Sequence, residues 1–507
     1  MPPRRPSSFL KQSFSLRSSV FASFAGNGFA FLIYIVSVPF YLPYIGIEAY
    51  GLLGFFISFQ ALLSVLDLGL TVTLTRELAI RGGDKDRSGE VRDLVRTTEV
   101  IQWGAALLIG VVSVAVSPII ARSLDSQNLS PDTLRQCFII MSVALALQFP
   151  ISLYSGGLFG LEKQVLFSIV NVFFALFRNV GVIAVLHFIS ATPQGFFAWQ
   201  AFSAGLHVLT LGGCLWLSLP AARDRARFRL GSLKQIWRFS TGLGLISIAS
   251  VLITQIDKFV LIRILPLEIF GYYAIAGIAA GGLHRLIQPI FQAFMPRLSQ
   301  LVGSGDEAAL ARTYHLGCQL IAVVVLPLSA VCVFFPREVL WLWQRDQAVA
   351  DNTYLLLALL TAGGALNSLL FVPYALQLAY GWTKLNLYAL TAAVFLSVPM
   401  IVLLANKYGA VGAAAVWIIF NTSFILILIP IMHRRLLPDE KWAWYLDDVI
   451  KPIAAVVIAA ALCRYFFVET GSRILLAAEL AAVFVAVSAA AAASAWYIRN
   501  RMLDWAR

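Results

Sequence analysis

Residues 409–432 read GAVGAAAVWIIFNTSFILILIPIM, 24 residues without one charge, and His433-Arg434-Arg435 follows at once. As a helix at about 1.5 Å per residue this stretch is about 36 Å long, enough to cross the roughly 30 Å hydrocarbon core of a bilayer. The basic residues at its end mark a cytoplasmic side, because short inner loops collect Lys and Arg. The same unit recurs along the chain. Apolar runs fall near 19–43, 50–74, 99–121, 135–159, 165–188, 195–219, 239–264, 269–296, 314–335, 352–379, 385–405, 409–432, 450–468 and 474–497, so the sequence predicts an all-α polytopic membrane protein with 14 spans.

Composition agrees. The 507 residues are 60% hydrophobic and 13% charged, against about 25% charged in soluble domains, so a water-soluble globular enzyme is excluded. The net charge of +12 reads as topology rather than as nucleic-acid binding. With both termini inside, 27 of the 38 basic residues lie in cytoplasmic segments and 7 in external ones. The first helix is expected to remain uncleaved, since no A-x-A site follows the basic start. The five cysteines (Cys137, Cys214, Cys318, Cys332, Cys463) stand in apolar segments without metal or disulfide spacing, so no metal, disulfide or cofactor is expected. No Walker A, HExxH, GxSxG or paired-carboxylate pattern occurs, and every external connection is about sixteen residues or shorter, too short for a folded catalytic domain. The expectation is a protein that is not an enzyme.

An internal repeat organises the spans. Glu48-Ala49-Tyr50-Gly51 matches Glu268-Ile269-Phe270-Gly271, and Gly160-Leu161-Glu162-Lys163 matches Gly381-Trp382-Thr383-Lys384, at nearly one offset. Six spans separate the copies, an even number, so both halves share one orientation. The expected layout is an N-terminal six-helix bundle over 1–219, a basic cytoplasmic linker over 220–238, a second six-helix bundle over 239–432, a cytoplasmic linker over 433–449, and two further helices with a short cytoplasmic tail over 450–507.

Four basic residues fall inside spans: Arg178, Lys258, Arg263 and Arg285. A charge at the bilayer centre costs on the order of 2.5–3.5 kcal/mol, so one kept there faces a wet cavity or a partner. Arg285 shares a helical face with Gln288 and Gln292, beside His284, which suits either cavity lining or a buried ion pair. Gln60, Ser64, Asp67 and Thr71 form a comparable stripe in the second span, and Asn27, Tyr34 and Tyr41 another in the first. Ser250, Thr254 and Asp257 add one in the seventh, flanked by Lys258. Arg178, with Asn171 two turns earlier and Asn179 beside it, suits an anion contact or a structural partner. Asp257 and Lys258 either neutralise each other or serve as a coupling-ion site and a substrate cation. Asp67 is a second carboxylate for ion coupling. Arg263 is placed to snorkel to the outer interface, and His187, His207 and His284 lack metal spacing. The candidate substrate cations are thus Arg178, Lys258 and Arg285; the candidate polar lining is Asn27, Gln60, Ser64, Asn171, Thr254, Gln288 and Gln292.

Pro39 to Gly46, Glu48 to Gly51, Leu66-Asp67-Leu68-Gly69-Leu70 and Thr75 to Ala79 resemble the opening of the Wzx-type polysaccharide flippases, within the multidrug/oligosaccharidyl-lipid/polysaccharide exporter superfamily. Asp257 to Leu261, Glu268 to Tyr273 and Tyr408-Gly409-x-x-Gly412 extend the likeness over most of the chain. The resemblance implies a bacterial inner-membrane protein that moves an undecaprenyl-diphosphate-linked oligosaccharide to the outer leaflet for O-antigen, capsule or exopolysaccharide assembly. It implies two bundles rocking around a cationic cavity, among membrane lipids and with polysaccharide polymerase and chain-length proteins as partners. A cation-coupled multidrug exporter of the same superfamily, and a membrane-embedded polymerase or ligase, are the competing readings.

Overall fold

The computed structural model describes residues 6–67, 69–81, 88–222, 225–229, 248–468 and 471–498, with the side chains of residues 6–25 and 27 outside that description. Asn27 is therefore placed on a helix but its side chain is not, and most of the expected linker over 220–238 lies outside the described residues. Two compact units emerge, Met1–Val251 and Leu252–Arg507.

The first unit is built from α1 (Pro6–Leu63), α2 (Leu70–Arg81), α3 (Ser88–Ser123), α4 (Pro131–Gln148), α5 (Ile151–Gly160), α6 (Gln164–Phe188) and α7 (Pro193–Ser218). Ser130 and Thr192 cap α4 and α7 by accepting from the backbone N–H of Thr133 and Gly195, which satisfies donors that a helix start leaves orphaned. Apolar side chains alone do not drive helices together in lipid; small residues that permit close approach do. Gly156 and Gly160 are such a pair: a methyl on Gly156 would lie 2.4 Å from Thr71 Cγ2, and one on Gly160 2.6 Å from the Thr75 carbonyl oxygen. There α5 lies against α2, and Thr75 Oγ1 donates to the Gly156 carbonyl at 2.9 Å. The start of α3 buries Asp93, Thr97 and Thr98, and these polar groups hold the chain beyond α7. Arg229 Nε pairs with Asp93 Oδ2 at 2.7 Å, and the Arg227 and Arg229 amides donate to Asp93 Oδ1 and Thr97 Oγ1 at 2.6 and 3.0 Å.

The division between units falls inside α8 (248–264). The second unit continues through α9 (Leu267–Ser304), α10 (Glu307–Phe334), α11 (Pro336–Gln344), α12 (Gln347–Leu369), α13 (Phe371–Ala379), α14 (Lys384–Ser423), α15 (Ile429–Leu436), the single turn α16 (Lys441–Ala443), α17 (Lys451–Tyr465) and α18 (Arg473–Ser494). Wide π turns, Phe424–Leu428 and Trp444–Ile450, stand before α15 and α17. The last two helices join the core of this unit, where Val456, Ala460, Val483 and Val487 pack with Tyr314, Val325 and Val372.

Among the described residues there is no strand, and ten helices are long and apolar enough to cross a membrane. Two of them, Gly28–Asp67 with 40 residues and Lys384–Leu436 with 53, would be about 60 and 80 Å long, twice or more the hydrocarbon thickness. Each is broken once, at Gly46 (φ 78°, ψ 166°) and at Gly409 (φ 62°, ψ −148°). Residues with a side chain avoid these conformations, so each break falls on a glycine, and the expected loops shrink to one residue. The fold class is the expected all-helical membrane protein; the ten helices do not resolve the expected number of spans.

One local arrangement occurs twice. After α5, Lys163 N donates to Leu158 O and Glu162 N to Phe159 O; after α13, Trp382 N donates to Gln377 O and Gly381 N to Leu378 O. Both are left-handed helix-ending turns, with positive φ at Glu162 (58°) and Gly381 (67°). The conformational counterpart of Gly381 is thus Glu162, two positions after the Gly160 that the sequence match pairs with it.

Candidate functional site

In the first unit α1 packs along α6. Tyr34 and Tyr41 are two turns apart on one face of α1, and Tyr50 follows the Gly46 break. Tyr41 and Tyr50 are 1% and 0% exposed, with ring centroids 6.3 Å apart. Arg178 on α6 is half-buried and in electrostatic reach of the Tyr34 and Tyr41 hydroxyls. No carboxylate among the described residues pairs with it. His207 on α7 senses the same charge and stacks on Phe174 at 4.6 Å. The hydroxyls of Tyr41 and Tyr50 and the Nε2 of His207 make no hydrogen bond among the described residues. The backbone here is pinned: Trp199 Nε1 donates to the Arg178 carbonyl at 3.1 Å, and its indole fills the space beside Gly181. Asn171, half-buried, precedes Arg178 on the same helix, whereas the Asn179 amide donates to the Ala175 carbonyl at 2.8 Å. A guanidinium withdrawn from water among neutral hydroxyls is costly unless an anion completes it. Tyr50 and His207 complete this group; Arg178 and the sevenfold spacing of Tyr34 and Tyr41 are its traces in the sequence, whereas Tyr50 lies beyond the break and His207 on another helix.

The second unit handles its cations differently. Lys258 Nζ pairs with Asp257 Oδ1 at 2.9 Å and donates to the Thr254 carbonyl at 2.7 Å, while Tyr273 Oη donates to Asp257 Oδ2 at 2.6 Å. Asp257 and Lys258 are thus an ion pair here, and both readings of the pair start from this contact. On α9, His284, Arg285 and Gln292 are exposed and Gln288 is half-buried, whereas Leu283 and Ile287 on the other side are 4% and 1% exposed. Gln288 Nε2 and His284 Nε2 share a hydrogen bond of 2.9 Å. The polar side chains of this stripe thus lie on the exposed side of α9, opposite Leu283 and Ile287. Arg263 is exposed near the end of α8, as snorkelling requires.

The second-span stripe needs correction. Ser64–Asp67 form a 3-10 turn and Gly69 takes φ 78°, so Gln60, Ser64, Asp67 and Thr71 do not share a face of one helix. Gln60 and Ser64 are exposed. Asp67 instead opens α2, accepting from Thr71 N at 3.2 Å, Thr71 Oγ1 at 2.6 Å and Gln102 Nε2 at 2.5 Å. A turn deeper into α3's neighbourhood, Glu99 accepts from Tyr154 Oη at 2.7 Å, Trp216 Nε1 at 3.2 Å and Arg96 at 2.8 Å. This buried network was not read from the sequence, because its members come from α3, α5 and α7 and no spacing links them. Among the described residues no group of His, Cys, Asp and Glu could hold a metal ion.

Comparison with known proteins places these features. The family described as "Polysaccharide biosynthesis protein" matches residues 16–302, and the MatE family matches residues 243–403. A Shigella flexneri protein that carries the name of an O-antigen transporter is 23% identical over 409 residues, covering 79% of this chain and 94% of its own. The lipid II flippase MurJ, in an inward closed conformation, superimposes with a TM-score of 0.66 at 13% identity over 93% of this chain and 97% of its own. An inward-facing multidrug resistance MATE transporter of the MOP superfamily does so with 0.66 at 14% identity, over 81% and 96%. A MOP superfamily transporter from Pyrococcus furiosus, described by the reverse polarity of its binding pocket, gives 0.57 at 15% identity, over 84% and 96%. The fold is that of membrane transporters and flippases, and these relatives are not catalytic enzymes.

Proposed function

The chain belongs to the polysaccharide biosynthesis protein family, and we propose that it flips undecaprenyl-diphosphate-linked glycan repeat units from the inner to the outer leaflet of a bacterial inner membrane, by alternating access around a cationic cavity. The observation that carries this reading is Arg178: a half-buried guanidinium among tyrosine hydroxyls, with no carboxylate to cancel it among the described residues. A lipid diphosphate supplies what this place lacks, since phosphate oxygens take charge-assisted hydrogen bonds from Arg and the hydroxyls of Tyr41 and Tyr50 have donors to spare. The prenyl tail stays in lipid, so the protein shelters only the headgroup and glycan. An inside-negative potential drives the same direction, by about 2.3 kcal/mol per negative charge per 100 mV.

In this reading Arg178 and Arg285 hold the diphosphate, with Asn27, Gln60, Ser64, Asn171, Thr254, Gln288 and Gln292 as hydrogen-bonding lining for the glycan. Lys258 contributes only where Asp257 is released from it, which makes that pair the natural place for ion coupling; Asp67 would first have to leave Thr71 and Gln102. Polymerase and chain-length proteins take the flipped unit onward. Deleting the gene strands lipid-linked repeat units on the inner leaflet; finding them on the outer leaflet instead would refute the function.

A second reading rests on the MatE match over residues 243–403: a cation-coupled multidrug exporter. Such a cavity needs free acidic groups, whereas Asp257 is engaged by Lys258 and Tyr273. Raised drug resistance on overexpression, without any glycan defect on deletion, would favour it.

A further inference from the structure

Nine residues into α10 lies a buried cluster that the substrate site does not use. The His315 side chain is 3% exposed, with Nδ1 2.5 Å from Asp448 Oδ2 and Nε2 3.0 Å from Glu440 Oε2. The Asp448 side chain is 0% exposed and its other oxygen accepts from Gln319 Nε2 at 2.9 Å. Gln319 Oε1 in turn accepts the backbone N–H of Tyr497 at 2.9 Å, and the Tyr497 ring lies parallel to His315 with centroids 5.9 Å apart. Three stretches meet on one imidazole: α10, the connector over 438–450, and the chain just beyond α18.

Counting protons exposes what this arrangement requires. An ionised carboxylate only accepts, and a neutral imidazole has one N–H. Both ring nitrogens stand within hydrogen-bonding distance of a carboxylate oxygen, so the cluster needs one proton more than a neutral histidine with two ionised carboxylates carries. Burial pushes the Asp448 carboxyl up from its ordinary range, in keeping with a proton retained here.

The surrounding groups do not supply that charge. From α10, Arg312 is turned to the Ala308 carbonyl at 3.2 Å. Lys441 of the connector stands over the Trp442 ring at 4.7 Å. Tyr314 and Cys318 of α10 face the cluster as neutral groups, and Tyr314 Oη shares a 3.2 Å hydrogen bond with His433 Nε2 of α15. Tyr445 and Asp447 complete the connector's contribution, and Asp447 adds negative charge.

We propose that His315, Asp448 and Glu440 form a proton-binding site, and that the proton held there clasps α10 to the connector over 438–450. Glu440, with a side chain 32% exposed, is where the proton exchanges with water. Closed at low and neutral pH, the clasp loosens as alkaline pH removes the proton and sets a nitrogen lone pair against a carboxylate. The inference is independent of the substrate.

The test is hydrogen–deuterium exchange of the full-length protein in nanodiscs across pH, read on peptides from 438–450 and scaled to peptides from α5. Wild-type protection is expected at neutral pH, with exchange about tenfold faster once the proton is lost, the size of effect carried by one charge-assisted hydrogen bond. Glu440→Gln offers an amide N–H to Nε2 and removes the need for the extra proton, so it stays protected and its pH response vanishes. His315→Asn exchanges fast at every pH. A Glu440→Gln variant that keeps the wild-type pH response overturns the proposal, as does a His315→Asn variant protected like the wild type; if the latter does not fold, the former decides alone.

Discussion

Arg178 in the first unit and Lys258 in the second are both cations inside spans, yet Arg178 has tyrosine hydroxyls around it and no carboxylate, while Lys258 has Asp257 at 2.9 Å and a carbonyl besides. The contrast separates two reasons for a membrane protein to keep a charge. A cation cancelled by its neighbour in sequence is complete and can stabilise the helix that carries it. A cation left uncancelled beside neutral hydroxyls keeps its charge for an anion, and the proposed function assigns that anion to the lipid-linked substrate. Arg285 differs from both in being exposed on α9, so solvent screening weakens whatever it contacts.

That ranking can be broken by mutation. Arg178→Ala is expected to lower export about thirtyfold at unchanged expression, the cost of a desolvated charge-assisted contact, measured as surface glycan per unit of protein. Arg285→Ala should cost about tenfold or less, because its contact is better screened. An effect of Arg285→Ala larger than that of Arg178→Ala would invert the comparison. Tyr50→Phe should weaken headgroup binding only about threefold, since it removes one neutral hydroxyl and leaves the Arg178 guanidinium in place. Smallest is the double variant Asp257→Asn with Lys258→Met, expected within about twofold of wild type in export because the pair is removed together, whereas Asp257→Asn alone leaves a stranded ammonium and costs more. A double variant as damaged as the single one would show that Lys258 acts on substrate directly.

The sequence disclosed most where the bilayer itself imposes the pattern. Uncharged runs such as 409–432 declare helices because no other open backbone survives in hydrocarbon, and Arg178 declared itself because a charge there is rare. Boundaries were legible in place but not in width: the gap read between 43 and 50 holds the break at Gly46, yet the loop expected there is a single glycine. The Asp67 stripe failed because counting by sevens assumes a continuous helix, and the left-handed Gly69 resets the count. The Glu99 network and the His315 cluster were not legible at all. Their partners stand far apart in the chain, His315 and Asp448 by 133 positions, and only folding gives them a common address.

The wide π turn over Trp444–Ile450 has an implication for how this region tolerates change. A π turn holds one residue more than an α turn, so losing a single residue there would restore ordinary helix without unravelling anything downstream. It would also rotate Glu440 by about 100° around the axis relative to Asp448, and two acids that now grip one ring from opposite sides would point past each other. The extra residue is a spacer: the helix gives up regularity so that both jaws close on the same histidine.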